Sequence, residues 1–460
     1  MNGLIKYLLL MMLVRGGWSL SEQEAIRMGL AQSPTIQIVL LDQQLDSLDY
    51  LNQSLTSRFE WQLTSDLISS FSSDSSLISS SGSSLSKVLY PGTRLLLNSS
   101  FNFIKSDAAP YGNFLSFKIE QPLLNKWGRG NPVFNAKNQA AITYRINNKK
   151  NLIAVAALIS DIKRTYWEYY RNSKLVDLRE WELDLADKIL NINRTKYQIG
   201  EVTLLDTLES AIEFESVKDK LWESRQDQTQ SWRELSQILG KSNEKMEQPR
   251  DSLTFLPAHN LNILIEKISN HNLEISQIRL QQQLYEARRY YYRQQLLPDL
   301  SMSLSADWEG NGKKPDESFE NFKKSNDNFS LNLSYPLTRT SAYYAHRKNK
   351  LQQQQNKLQL RGKELELNYE ITNLSDEYNY YLRKLKTAEK IILLAERRYD
   401  LAQEKFRLGS LSSLEELKAR NDLINSKLKQ IDTQLILKNL EIQIDILTSD
   451  VFEKYQIRIN

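Results

Sequence analysis

The chain contains one motif twice, and this duplication limits its possible folds more than any other feature of the sequence. The segment KYQIGEVTLLD, which starts at Lys196, aligns without gaps with KFRLGSLSSLE, which starts at Lys405, so the two copies lie 209 residues apart. Further upstream, FKIEQPL at Phe117 aligns with LNLSYPL at Leu331, 214 residues later. Repetition over such a distance predicts two structural units of the same design.

Each copy is predicted to contain a helix, a segment of alternating polarity and two long helices joined by a tight turn. The first helix of each copy is expected at about 21–57 and about 258–296. The predicted boundaries are a signal peptide at 1–19, a first repeat at 20–239 (strands about 58–122, helical hairpin about 136–239), a linker at 240–257, a second repeat at 258–450 (strands about 298–336, helical hairpin about 341–450) and a C-terminal tail at 451–460.

The N-terminal segment has the pattern of a secretory signal peptide. Lys6 precedes an apolar stretch from Tyr7 to Val14, and a polar helical sequence follows. Arg15 and Trp18 make a poor cleavage site, which leaves a buried N-terminal helix as the alternative. Export is the favoured interpretation.

The long helices carry a heptad seam. Leu385, Ile392, Tyr399 and Phe406 alternate along it with small alanines, while Arg179 and Asn193 interrupt the corresponding seam of the first copy. On the returning helix the pattern predicts that Leu414 and Leu417 continue the seam. A helix of about 65 residues would be about 100 Å long, so it needs neighbours on more than one side.

The turns between the long helices follow from their chemistry. Gly200 and Gly409 stand where a helix ends in a left-handed residue. Thr203 with Asp206, and Ser412 with Glu415, have the spacing of capping boxes that start the next helix. Each copy is therefore expected to end in a pair of antiparallel helices with a tight turn.

The alternating segments are predicted to be strands with one apolar and one polar face. Phe329, Leu331 and Leu333 alternate with Ser330 and Asn332. A soluble sandwich and a membrane barrel both have this pattern. Four strands with a polar inner face have no core, so the apolar face must contact lipid or another subunit. The serine tract at 69–86 is interpreted as an added hairpin with a flexible outer loop, with disorder as the alternative.

Composition excludes several classes of function. The chain has no cysteine and three histidines, so thiolate chemistry is impossible and neither a metal nor another cofactor is expected. No catalytic constellation recurs at a plausible spacing, which argues against an enzyme. The 60 basic and 56 acidic residues are interleaved, so nucleic acid is not an expected partner. After residue 20 no run of 18 apolar residues occurs.

The residues resemble the family of TolC-like outer membrane efflux proteins. The resemblance lies in the duplicated order and in several short motifs: LSEQEAIRMGLAQSP at Leu20, QPLL at Gln121, LLPDL at Leu296, and the turns at Tyr197 to Gly200 and Phe406 to Gly409. It implies an α+β chain with long helical coiled coils. It also implies a homotrimer in which each chain gives four strands to a twelve-stranded barrel in the outer membrane. The helices then form a periplasmic tunnel that works with a periplasmic adaptor protein and an inner membrane transporter.

The resemblance also implies roles for residues near the turns. Asp206 and Glu415 fall on acidic gate positions, and Tyr197 and Phe406 on the accompanying aromatic positions. Gly200 and Gly409 mark the turns at which the adaptor is expected to dock. The alternative is that the acids only cap helices and the aromatic residues only fill the seam. Lys418 stands where the family can carry a second acid, which weakens the case for a cation-selective ring.

The expected function is the outer membrane channel of a tripartite export system that passes small molecules such as drugs, toxic compounds or metal ions. Two alternatives remain open at this point. One is the outer membrane tunnel of a type I protein secretion system. The other is a periplasmic coiled-coil adaptor or scaffold with a soluble β domain.

Overall fold

The computed structural model describes residues 19–55, 60–70, 76–104, 110–241, 245–255, 257 and 260–455. Apart from Ser19, the expected signal peptide lies outside these ranges and stays a prediction. Within them, no helix combines the length and the apolar character that a membrane-crossing helix requires.

Helices and strands follow the order that the duplication predicts. The long helices begin and end within a few residues of the predicted positions. The elements are β1 (Ser19–Leu20), α1 (Glu22–Gln32), α2 (Pro34–Leu55), β2 (Glu60–Ser70), β3 (Ser76–Val88), β4 (Arg94–Ile104), β5 (Tyr111–Pro122), α3 (Pro132–Gln198), α4 (Leu204–Ile238), β6 (Gln248–Pro249), α5 (Leu261–His271), α6 (Leu273–Gln294), β7 (Asp299–Gly312), α7 (Pro315–Glu320), β8 (Lys323–Ser334), α8 (Thr340–Arg407), α9 (Ser413–Thr448) and α10 (Asp450–Lys454).

The first helix of each copy is broken by one residue, where we expected a continuous helix. Ser33 separates α1 from α2 with a ψ of 133°, because the residue before a proline is displaced from the helical region. Asn272 separates α5 from α6, and its side-chain oxygen accepts a hydrogen bond from the N–H of Glu274 at 3.0 Å. The breaks occupy equivalent places, so the repeat includes these helices.

The chain forms two compact units. The first comprises Met1–Leu41, Asn151–Glu274 and Lys363–Asn460, and the second comprises Asp42–Lys150 and Ile275–Gly362. Both copies of the repeat therefore contribute to each unit.

An aromatic cluster fills the core of the first unit. Tyr166, Tyr169 and Trp167 of α3 are buried. The rings of Tyr166 and Trp167 meet edge to face with centroids 5.3 Å apart, and Tyr169 lies 5.3 Å from Trp232 of α4. Such pairs add about 0.5–1.5 kcal/mol each to the burial of their apolar area.

A buried lysine links both ends of the chain in the first unit. Lys163 lies 3.3 Å from Glu22 Oε1 and 3.2 Å from Asp445 Oδ2. Glu22 also accepts hydrogen bonds from the Tyr455 hydroxyl at 2.7 Å and from Trp167 Nε1 at 2.9 Å. Burial acts to lower the pKa of Lys163, but the two carboxylates outweigh it and the pKa is raised. The lysine thus stays charged, and each carboxylate in the cluster has a partner.

The described residues of the predicted linker and tail pack within the first unit. In the linker, β6 pairs in parallel with β1, and Asp251 accepts hydrogen bonds from the Glu22 N–H at 2.6 Å and from the Tyr166 hydroxyl at 2.7 Å. In the tail, α10 buries Val451. Among the described residues of the linker, Asp251 therefore makes specific hydrogen bonds within the unit.

The second unit contains a six-stranded sheet in the order β2-β3-β4-β5-β7-β8, in which all neighbours are antiparallel. The sheet therefore has two strands more than the four per chain that the family resemblance implies for the barrel. Most of the serine tract forms β3, which confirms an added hairpin and excludes disorder there. Serine has a low strand propensity, but β3 pairs along its length with β2 and β4, and this non-local pairing decides its conformation. Residues 71–75, in the expected outer loop, lie outside the described residues.

The strand register confirms that polar and apolar side chains occupy opposite faces of this sheet. Asn98, Ser116 and Asp307 are aligned across three strands on one face, while Leu97 and Phe117 are aligned on the other. The polar face also carries Ser84, Lys118, Ser303, Asn328 and Ser330, and the apolar face also carries Leu63, Leu85, Leu304, Phe329 and Leu331.

The apolar face is the more exposed of the two. Phe329 is 66% exposed and Leu331 is 60% exposed, whereas Ser116 on the polar face is buried. Ser116 Oγ donates a hydrogen bond to Asp307 Oδ1 at 2.6 Å, and Asn328 donates to Asp307 Oδ2 at 3.1 Å. An exposed apolar area of this kind marks a membrane or protein contact. The sheet therefore needs an apolar environment for one face.

Candidate functional site at the hairpin turns

The two turns have the geometry that their glycines predict. Gly200 has a φ of +80° and Gly409 a φ of +75°, both in the left-handed region. The N–H of Gly200 donates to the carbonyl of Tyr197 at 3.0 Å, and that of Gly409 to the carbonyl of Phe406 at 3.1 Å. These bonds close the last turn of α3 and of α8, and glycine adopts this conformation without steric strain.

Asp206 and Glu415 cap the helices that follow. The Thr203 N–H donates to Asp206 Oδ2 at 2.9 Å, and the Asp206 N–H donates to Thr203 Oγ1 at 3.2 Å. Ser412 and Glu415 exchange the equivalent bonds, both at 3.3 Å. The bonds from Thr203 hold the pKa of Asp206 below its usual range. The capping boxes are thus confirmed, and the gate role of these acids stays a prediction.

The two aromatic candidates lie in different environments. Tyr197 is 45% exposed, whereas Phe406 is only 2% exposed. Lys196 Nζ lies 4.8 Å from the centre of the Phe406 ring and donates a hydrogen bond to the Phe406 carbonyl at 2.9 Å. Phe406 therefore fills the seam between the two hairpins, while Tyr197 presents its ring at the surface. Lys418, one turn beyond Ser412–Glu415, is exposed.

Asn193 joins the two turns. Its side chain is fully buried, and its amide nitrogen donates to Ser210 Oγ of α4 and to Ser413 Oγ of α9, the latter at 3.3 Å. In the sequence Asn193 was a polar interruption of the seam. The structure explains it, because a buried amide with specific partners fixes which helices meet and at what register.

The predicted seam is confirmed on α8 but is displaced on α9. We expected Leu414 to continue it, yet Leu414 is 67% exposed. Two charged residues, Glu416 and Arg420, occupy buried positions instead. Charged residues in a heptad pattern usually mark the solvent face, so the sequence pattern did not indicate that these two are buried. The buried positions in the half of the hairpin nearer the turn include Leu385, Ile392, Tyr399 and Phe406 on α8 and Glu416, Ala419, Arg420, Leu423 and Ile424 on α9.

The buried charges form a cluster near the turns that the sequence analysis did not identify. Arg420 pairs with Glu213 Oε1 of α4 at 3.2 Å. Burial raises the pKa of Glu416; Arg420 and the Tyr399 hydroxyl oppose this change, and Glu213 adds to it. Neither Glu416 oxygen completes a hydrogen bond with the described part of the chain. Glutamate and arginine four residues apart, on a helix expected to pack on both sides, was the one available signal.

Several solved structures of outer membrane channels have this fold. VceC from Vibrio cholerae matches with a TM-score of 0.69 and 14% identity, covering 93% of this chain and 95% of that one. CmeC from Campylobacter jejuni matches at 0.67 with 12% identity, covering 95% and 90%. The open state of MtrE from Neisseria gonorrhoeae matches at 0.68 with 13% identity, covering 93% and 88%. At these identities the likeness establishes the fold.

The family follows from the sequence itself. The model of the outer membrane efflux protein family matches residues 116–241 and 264–448, well over half of the chain. The chain belongs to the outer membrane efflux protein family. A search of curated proteins gave no match. The membership confirms the TolC-like resemblance, a location in the outer membrane with extension into the periplasm, and a transport role rather than an enzymatic one.

Alanine at Gly409 is expected to destabilise the protein by about 1–2 kcal/mol through its positive φ alone, since no atom lies within 4 Å of the added methyl group. Gly362 is the matched control. It lies inside α8 with equally open space, so alanine there should stabilise the protein by up to about 1 kcal/mol. Thermal loss of the helical circular dichroism signal in detergent measures both. Equal effects of the two substitutions would contradict the account.

Opposite pH trends are expected at Glu416 and Asp206. The raised pKa of Glu416 means that its charged form costs stability as the pH rises above its ordinary value of 4.5. Glu416→Gln should therefore gain in thermal midpoint relative to the natural protein as the pH rises. The lowered pKa of Asp206 gives stability above its ordinary value of 3.8, which is lost as the pH falls through the lowered pKa. The thermal midpoint of Asp206→Asn should accordingly fall relative to that of the natural protein as the pH rises. Parallel trends would refute this assignment.

Proposed function

We propose that the protein is the outer membrane channel of a tripartite exporter. In this role it passes small molecules, such as drugs, toxic compounds or metal ions, from an inner membrane pump to the outside. The observation that carries the proposal is the two-faced sheet, with an exposed apolar face opposite a polar one. Lipid suits the first face and a water-filled path suits the second. The chain then needs no chemistry of its own, because the pump supplies the energy.

The working form in this proposal is a homotrimer. The sheet ends in two edge strands, β2 and β8, which have no second partner within the described chain. Main-chain groups at such edges cannot be left unpaired in lipid. The six strands alternate in direction, so β8 of one chain would run antiparallel to β2 of the neighbouring chain. Copies of the chain can therefore close the sheet into a barrel, and the family resemblance favours three.

The gate is proposed to lie at the turns. Glu415 is exposed, Asp206 is half-buried and Tyr197 is 45% exposed, so these three side chains can contact neighbouring copies. Phe406 is buried, and we assign it a packing role in the same gate. Capping and gating are compatible, because each carboxylate bonds its own turn through one oxygen only.

Opening of this gate can be separated from loss of the caps. Asp206→Asn combined with Glu415→Gln keeps a side-chain oxygen at each cap and removes both negative charges. Reconstituted in planar bilayers, this double variant should conduct severalfold more than the natural protein. Thr203→Ala combined with Ser412→Ala is the control, since it weakens the caps by about 1 kcal/mol each and keeps the acids. Equal conductance of the natural protein and the acid variant would leave the acids with a capping role alone.

Docking of a periplasmic adaptor is proposed at the turns marked by Gly200 and Gly409. Exposed apolar side chains surround both: Ile199 is 66%, Leu205 is 64% and Leu408 is 77% exposed. Apolar side chains that water would otherwise cover favour a protein contact at this place.

The docking proposal predicts a separation of two activities. Leu205→Gln combined with Leu408→Gln should abolish export from cells, because the apolar contact is lost. The purified trimer should keep its bilayer conductance, because both side chains are exposed and support no core. Export at the natural level would disprove docking through these residues, and loss of the trimer would show that they serve assembly.

A further inference from the structure

The six-stranded sheet contains an insertion in the first copy. In the second copy α6 leads into β7, and β8 leads into α8. In the first copy α2 leads toward β2, and β5 leads toward α3. The corresponding strands are therefore β2 with β7 and β5 with β8. The hairpin of β3 and β4 has no counterpart in the second copy.

This hairpin is an integral part of the sheet. Eleven residue pairs join β2 to β3, eleven join β3 to β4 and ten join β4 to β5. Removing the hairpin from the sheet would leave β2 without a neighbour in the described chain and would free one edge of β5. Unpaired main-chain groups inside lipid are strongly unfavourable, because no water is there to bond them. The pairing therefore fixes the hairpin in the wall that the sheet forms.

The turn of the hairpin is anchored where β5 ends. The Gly128 N–H donates to the Pro91 carbonyl at 2.5 Å, and the Tyr90 ring packs edge to face on Phe134 with centroids 5.4 Å apart. Gly92 has a φ of +126°, and a methyl group there would lie 2.6 Å from the Lys126 carbonyl oxygen. A loosely attached loop would not need such a close approach.

The two faces of the sheet continue across β3. Ser80, Ser84 and Ser86 lie on the polar face, and Leu85 lies on the apolar face. The apolar face also carries Ser79, Ser81 and Ser83 and, next to the turn with β4, Lys87. Serine is small, and its hydroxyl can hydrogen-bond to nearby backbone, which limits the cost of placing it against lipid. The polar face of β3 carries hydroxyls and no charged side chain.

We propose that each chain of the trimer contributes six strands to the barrel. The trimer then has eighteen strands and a wider, partly serine-lined exit. This inference rests on the homotrimeric channel proposed above. Six is an even number, so antiparallel pairing continues at all three junctions between copies. Barrel diameter grows roughly in proportion to strand number, which makes this exit roughly one and a half times as wide as one with twelve strands. Such an exit admits bulky polar solutes that a twelve-stranded barrel would exclude.

Deletion of the hairpin tests the inference. Ser70 and Tyr111 lie at the same end of the sheet, so a short Gly-Asn-Gly turn in place of residues 71–110 can join β2 directly to β5. Neutral polymers of graded size, added only at the barrel side of a planar bilayer, reduce the current when they enter the barrel. The largest polymer that enters should be smaller in radius by roughly one third in the deletion variant. Replacing residues 71–75 alone keeps β3 and β4, so it should leave the size of the largest polymer that enters unchanged.

The outcomes separate the two proposals. If the natural protein forms threefold channels with the same polymer limit as the deletion variant, the eighteen-stranded barrel is refuted and the export channel stands. If the natural protein forms neither trimers nor channels, both proposals fall. A smaller limit in the deletion variant with an unchanged limit in the loop variant supports both.

Cysteine labelling keeps the inference testable if the deletion variant does not fold. The chain contains no cysteine, so each substitution introduces a unique thiol. A charged, membrane-impermeant thiol reagent should label Ser84→Cys, on the polar face, and reduce the current. Ser83→Cys, on the apolar face, should react only with a lipid-soluble maleimide. Equal labelling of both positions by the charged reagent would place the hairpin outside the wall and overturn the proposal.

Discussion

The fold depends on one constraint, which is that the described part of the chain leaves the apolar face of its own sheet uncovered. Phe329, Leu331 and Leu333 remain exposed, while polar side chains on the opposite face are hydrogen-bonded to one another. Within the residues that the structure describes, the edge strands β2 and β8 each lack a second neighbour, so main-chain groups along both edges need partners as well. Lipid around the apolar face, and further copies at the edges, satisfy both requirements together.

In the first unit the long helices must be held in one register relative to one another. A purely apolar seam permits several registers of similar energy, and specific polar contacts select one of them. Lys163 with Glu22 and Asp445 does this between the ends of the chain, and Asn193 does it at the turns. Glu416 and Arg420 are buried without full hydrogen bonding, so this part of α9 is less well satisfied than the rest.

The sequence predicted the parts of the fold that depend on local chemistry. Gly200, Gly409 and the two capping boxes were predicted because each turn is determined by neighbouring residues. The alternation in β8 revealed its apolar face for the same reason. The serine tract predicted an added hairpin but not its place in the sheet, since β3 is held between β2 and β4 only by non-local pairing. Burial of Glu416 was missed because its environment is built by α4 and α8, which no local pattern describes.

Single-particle imaging of the protein in lipid nanodiscs tests the central claim most directly, because it shows what covers each face of the sheet. The account predicts a threefold particle in which the lipid disc surrounds a closed barrel, with the side that carries Leu331 toward lipid and the side that carries Ser116 toward the lumen. A particle of one chain, an open sheet or a disc around the helices would contradict it.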